Sequence, residues 1–374
     1  MVRFFPVLAL LTAAAAGAQA ADYLVYAGTY TRGQSRGIYA FHFDSSKGKL
    51  TSAGLAAETL NPSFLAEHPN HRFLYAVNEG GRGGNTVSAF AIDAKTGKLA
   101  PLNAVSSQGS GPCHLAVDAT GRWLVAANYN NGTMALIPVH EDGRLGEATQ
   151  VEHHEGSSVN SARQKGPHAH CVVFSPDNHF LFLADLGLDK IWIYKFDAAA
   201  GTLVANSPDS ASVPPGAGVR HLAFHPNGRV LYSINELGST VSAFHYFPPT
   251  GTLERFQDIS SLPEDFHGNN APAEVAVNAA GTRLYGSNRG ADSIAVFTID
   301  PQSQALKFLD STSTLGRSPR HFALDPTGKF LLVANQDAGG ITVFRVAKSG
   351  QLAPAGPASK EADFPVCILF YKGK

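Results

Sequence analysis

Apolar and polar positions along the chain repeat as a unit of two short strands. Six segments superpose: NPSFLAEHPNHRFLYAVNE (61–79), GPCHLAVDATGRWLVAANY (111–129), HAHCVVFSPDNHFLFLADL (168–186), GVRHLAFHPNGRVLYSINE (218–236), APAEVAVNAAGTRLYGSNR (271–289) and SPRHFALDPTGKFLLVANQ (318–336). Each has an apolar strand, a turn often built on Pro-Asn/Asp/Thr-Gly, and a second apolar strand ending in Asn or Asp. Aligned on Ser63, Cys113, His170, Arg220, Ala273 and Arg320, the steps are 50, 57, 50, 53 and 47 residues. A strand-patterned period of this length predicts the blades of a β-propeller. A second strand pair follows each unit, as in TVSAFHYF with LERFQDI, so each blade has four antiparallel strands, A to D from the axis outward.

The two ends supply a seventh blade. Asp363 to Leu369 reads as an A strand with no B, C or D strand after it. YLVYAGTYT, GIYAFHF and KLTSAGLA near the N-terminus read as three strands with no A strand before them. Pairing the ends closes a seven-bladed, all-β ring and leaves no open edge.

Residues 1–20 do not fit this pattern. Arg3, the apolar run from Phe4 to Ala16, and Ala18-Gln19-Ala20 read as a secretory signal peptide cut after Ala20. The mature domain is then 21–374, exported to the periplasm or secreted, with no membrane association after cleavage. Of the 374 residues, 16% are charged, and the formal net charge is -1. That balance lacks the basic footprint of a nucleic-acid protein. Cys113, Cys171 and Cys367 are odd in number, match no zinc or redox spacing, and sit in apolar runs as small hydrophobes do.

In an A–B hairpin the start of A lies beside the end of B, so residues at both positions ring one mouth of the channel. The Asn or Asp ending each B strand is expected to serve the turn backbone. Beside them, blades three, four and five contribute His170, Arg220 with Glu236, and Arg289, and blade six contributes Arg320. An imidazole, a carboxylate and guanidinium forks suit acid/base chemistry on an anion. A structural Arg220–Glu236 ion pair is the competing reading. His168 and His170 form a His-x-His pair without a third ligand at clear spacing, so no metal is expected. Strict alternation turns His114, His221 and His321 off the axis into packing roles. The insert at 151–167 precedes His170, and two readings stand for it, a cover over the mouth or a mobile surface loop.

The stretches PHAHCVVFSPD (167–177), VRHLAFHPNGRVLYSINELGSTVSAF (219–244), APAEVAVNAAGTRLYGSNRGADSIAVF (271–297) and SPRHFALDPTGKFLLVANQ resemble the lactonase-family seven-bladed propellers. That family includes cycloisomerase-type 6-phosphogluconolactonases and 3-carboxy-cis,cis-muconate lactonizing enzymes. The resemblance implies lactone chemistry on a small anionic lactone, without cofactor. A propeller needs no partner to close its ring, so a monomer is the default expectation. It places a His, two Arg and a Glu of the muconate enzymes on His170, Arg220, Arg289 and Glu236. It leaves open which of Glu236 and His170 is the base. A muconate-type cycloisomerase and a non-catalytic exported binding propeller are the alternatives.

Overall fold

The computed structural model describes residues 22–80, 84–337 and 340–373. The expected leader, 1–20, lies outside them. The described chain forms seven four-stranded antiparallel sheets. The A and B strands of blades one to six are Leu65–Glu67 with Phe73–Asn78, Pro112–Val117 with Trp123–Asn128, Ala169–Phe174 with Phe180–Asp185, Val219–Phe224 with Val230–Asn235, Ala271–Val277 with Arg283–Arg289, and Pro319–Leu324 with Phe330–Asn335. Blade seven takes its A strand, Pro365–Phe370, from the C-terminal end and its B, C and D strands, Asp22–Thr29, Gly37–Asp44 and Lys49–Glu58, from the N-terminal end. Each A strand lies against the A strands of both neighbouring blades, which closes the ring around an axis.

The apolar pattern that marks the repeats is the packing between blades. Seven buried clusters each join two adjacent blades. One holds Tyr285, Ile294, Phe322 and Phe344 between blades five and six, and another holds Val25, Phe41, Phe330 and Ile368 between six and seven. The B strands of blades one, three, four and six are buried along their whole length, as strands covered on both faces must be. The A–B turns need a left-handed residue. Gly121, Gly228, Gly281 and Gly328 supply it at φ 73, 68, 66 and 67°, and His71 and Asn178 take its place at φ 61 and 62°.

Four of the six B-strand termini, Asn78, Asn128, Asp185 and Asn288, bond the backbone as expected, whereas Asn235 and Asn335 bond the hydroxyls of the C strand, Thr240 with Ser242 and Thr342. Asp185 Oδ1 accepts from the amides of His168, Gly187 and Leu188 at 2.8, 3.0 and 3.2 Å. Asn128 Nδ2 donates to Ser107 O at 2.9 Å, and Asn288 Nδ2 to Ser261 O at 2.8 Å.

One backbone device sets up the axial mouth. In blades two, three, four and six the A–B register slips across Cys113, His170, Arg220 and Arg320. Blade five slips between Pro272 and Val275, and blade seven where Thr29 and Gly28 oppose Pro365 and Cys367. A bulge leaves its extra residue unpaired and re-aims the side chain. Strict alternation therefore fails here, and the off-axis placement of His114, His221 and His321 is corrected. Their rings meet inside the channel, with Phe64 to His114 at 3.9 Å, His114 to His221 at 5.2 Å and Phe64 to His321 at 5.6 Å between centroids. They do pack, but as a plug across the axis.

Candidate active site

Above this plug a cavity of about 380 Å³ opens at one mouth, lined by Glu79, Cys113, Tyr129, Arg163, His170, Glu236, Ala271, Arg289 and Arg320. A narrower space beneath it is shared by Glu79, Cys113, His170 and Arg320 and also reaches Arg220, His221 and Phe64.

Glu236 follows the B strand of blade four and is 7% exposed. Its Oε2 accepts from Arg220 Nε at 3.0 Å and from Arg289 Nη2 at 2.6 Å. Its Oε1 accepts from Arg163 Nη2 at 2.8 Å. Burial opposes the charge on this carboxylate, but Arg289, Arg220 and Arg163 outweigh it and hold its pKa at about 2. Arg220, buried in its bulge, also donates to Ala273 O at 2.6 Å. Arg289 donates through Nε to Ala271 O at 3.0 Å.

His170 is 4% exposed, and its Nδ1 is buried without a hydrogen-bond partner among the described residues. Burial, then Arg220, His221 and Arg320, push its pKa well down, so the ring is neutral at neutral pH. Tyr129 meets it edge-on at 5.5 Å and stacks on His168 at 4.5 Å. Arg320 has no carboxylate on it among the described residues. Its guanidinium lies 5.4 Å over the Tyr30 ring and donates a long bond to Gln336 Oε1 at 3.5 Å. Tyr30 in turn donates to Glu79 Oε2 at 2.9 Å. The three cysteines are buried and unpaired, and burial pushes each thiol's pKa up, so none is a thiolate nucleophile.

A fold of seven four-stranded blades with this polar mouth can be compared with known proteins. The profile of the family described as "Lactonase, 7-bladed beta-propeller" matches residues 24–370. The chain belongs to this lactonase family. It is 37% identical to a 6-phosphogluconolactonase of Bacillus subtilis, over 93% of this chain and 98% of that one. It is 34% identical to a 6-phosphogluconolactonase of Formosa agariphila, over 86% and 92%. The structure of a periplasmic gluconolactonase from Pseudomonas aeruginosa superposes with a TM-score of 0.89 at 35% identity, covering 95% of this chain and all 100% of that one.

On this lactonase scaffold the structure brings His170, Arg220, Glu236, Arg289 and Arg320 to one mouth. Arg220 and Glu236 do form an ion pair, but as part of a cavity wall. Sequence reasoning passed over Arg163, Tyr129, Tyr30 and Glu79. Arg163 belongs to the 151–167 insert, where no repeat exists to mark it. The insert is tied down on both sides of Arg163. His154 bonds Gly132 O and Tyr194 Oη at 2.9 and 2.7 Å, and buried Gln164 donates to Leu186 O at 2.9 Å. Asn160 Oδ1 accepts from the amides of Ala162 and Arg163, both at 3.1 Å. The Arg163 side chain itself is 44% exposed and reaches across to Glu236 and to Tyr129 Oη. Arg163→Ala is expected to change stability by less than about 1 kcal/mol, since the pair is half in water. It should raise KM for an anionic substrate by about tenfold, which corresponds to about 1.4 kcal/mol of binding. Steady-state kinetics with a melting curve check both parts.

His114, Cys171 and His221 also place ligand-type atoms within 4.8 Å of one another in the buried plug. Their donor set suits a metal poorly. The Val172 amide donates to His114 Nδ1 at 3.4 Å, which puts the ring proton on Nε2, the atom facing Cys171 Sγ at 3.5 Å. A metal on Nε2 would move that proton to Nδ1, against the amide hydrogen.

Proposed function

We propose that the protein is a lactonase that hydrolyses a sugar lactone of the 6-phosphogluconolactone kind, using side chains at the propeller mouth and no metal. The observation that carries this reading is the charge of the cavity. Arg163, Arg220, Arg289 and Arg320 face Glu236 and Glu79, while His170 is neutral. The surplus of two positive charges matches a doubly charged ligand, and a phosphate monoester is close to a dianion at neutral pH. The lactonase family and the two 6-phosphogluconolactonase relatives support the same chemistry.

In this reading the guanidiniums have two tasks. They bind the anionic group through paired N–H donors, and they stabilise the oxyanion formed when water adds to the lactone carbonyl. Glu236 keeps Arg163, Arg220 and Arg289 charged and aimed. Neutral His170 borders the reacting centre as a hydrogen-bonding group. When an anion neutralises Arg220 and Arg320, the pressure on its imidazole falls, so ligand binding raises its proton affinity.

Export belongs to the proposal. The leader at 1–20 predicts it, and the Pseudomonas aeruginosa relative is described as periplasmic. Sugar phosphates are made in the cytosol, so an unphosphorylated aldonolactone is the alternative substrate outside it. A muconate-type diacid fits the charge surplus equally well and makes cycloisomerisation the second reading. The test is a panel on the mature protein. Proton release from 6-phosphogluconolactone or gluconolactone supports hydrolysis. Absorbance loss with a muconate instead supports the cycloisomerase. Tight anion binding without turnover of either identifies a binding propeller.

A further inference from the structure

Two carboxylates face the cavity, and their surroundings are opposite. Both oxygens of Glu236 are occupied by guanidiniums, and three cations hold its pKa at about 2. Such a carboxylate is a good anchor and a poor proton acceptor near neutrality. His170 is weakened as a base for a related reason, since burial and Arg220 disfavour its imidazolium.

Glu79 is held differently. It follows the B strand of blade one, and its backbone is fixed on both sides. Its amide donates to Asn61 O at 3.1 Å, and its carbonyl accepts from Asn61 Nδ2 at 3.0 Å. Its Oε2 accepts one hydrogen bond, from Tyr30, and among the described residues Oε1 accepts none and no cation lies within ion-pair distance. Glu79 lines both the cavity and the narrower space below it, together with His170 and Arg320. Its charge is felt at Arg320, the one cavity guanidinium without a carboxylate among the described residues.

We propose that Glu79 is the general base of the hydrolysis, with Tyr30 as the positioning residue that orients its carboxylate. The assignment rests on the lactonase reading above. Oε1 takes a proton from water as the water oxygen bonds to the lactone carbonyl carbon. The carbonyl π pair moves onto its oxygen, beside Arg320. On collapse the bond from that carbon to the ring oxygen breaks, and the ring oxygen takes the proton back from Glu79. One water is consumed, an open hydroxy acid forms, and Glu79 ends ionised, as it began.

The test compares the wild type with Glu79→Gln, Glu79→Ala and Tyr30→Phe on gluconolactone and 6-phosphogluconolactone, following kcat and KM against pH. Glu79→Gln retains an acceptor for Tyr30, and its melting curve checks the fold. It should lower kcat by about 10²–10⁴ with KM little changed. Added formate should restore part of the rate to Glu79→Ala in proportion to its concentration. Tyr30→Phe removes a donor that favours the ionised carboxylate, so the acidic limb of the kcat/KM profile should move to higher pH. An active wild type with Glu79→Gln within about threefold of it overturns the assignment and leaves the lactonase reading standing. So does an acidic limb that Tyr30→Phe leaves in place. A wild type that opens neither lactone overturns both.

Discussion

Glu236→Ala is expected to remove nearly all activity and to lower the melting temperature by several degrees. Arg220 and Arg289 are 3% and 16% exposed at their side chains, and both lean on the same Oε2. Deleting that carboxylate leaves Arg220 charged, buried and without an ion-pair partner among the described residues. Removing one member of a buried pair costs about 3–5 kcal/mol. The half-exposed Arg163 adds little to that loss. Activity falls for a separate reason, because guanidiniums without their common anchor no longer point at one place. Acid titration of Glu236→Gln offers an independent check. The carboxyl of Glu236 ordinarily titrates at 4.5 and is held at about 2 in the fold. A depressed folded value means stability that is complete above 4.5 and drains away as pH falls toward about 2. The wild type should therefore lose melting temperature across that acid window more steeply than the Gln variant.

Arg320→Ala should lower kcat by about 10²–10³, the usual consequence of losing one preorganised donor to a developing oxyanion. Among the cavity guanidiniums it alone is not committed to Glu236, and it is held by the Tyr30 ring rather than by a charge. Ligand-free stability should change less than for Glu236→Ala, because no buried ion pair is broken. Lys at this position keeps the charge but loses the planar fork, so Arg320→Lys should recover only a small part of the rate. Parallel kinetics and melting curves on the three variants separate anchoring from catalysis. A kcat for Arg320→Ala close to that of the wild type removes Arg320 from the reacting centre.

The architecture was legible because blade packing imposes it on every repeat. Tyr75, Tyr232 and Tyr285 occupy equivalent, fully buried positions in blades one, four and five, and such repetition is visible without coordinates. His170, Arg220, Glu236, Arg289 and Arg320 were legible as departures from that repetition. The bulges were not. No residue type marks them, since Cys113, His170, Arg220 and Arg320 all occupy the same backbone device. Alternation therefore misplaced His114, His221 and His321. Arg163 escaped notice because it lies outside the repeats. Glu79 stood in the correct column beside Asn78, but a Glu after a B strand says nothing of its neighbours. Its contact with Tyr30 of the neighbouring seventh blade, and the guanidiniums gathered on Glu236 instead, distinguish the two carboxylates only in three dimensions.

The shared seventh blade also bears on how the molecule comes into being. Val25 pairs with Phe370 and Gly28 with Cys367, so nearly the whole chain separates partners that lie side by side. On the ribosome, blades one to six can assemble in turn, but the strands at Asp22–Thr29 must wait for Pro365–Phe370 before their inner edge is covered. Until then that edge is exposed to wrong pairing. Closure of the ring therefore cannot precede the end of synthesis. It also makes the final strand the clasp of the ring, the place where a short truncation should unfasten blades far away in sequence.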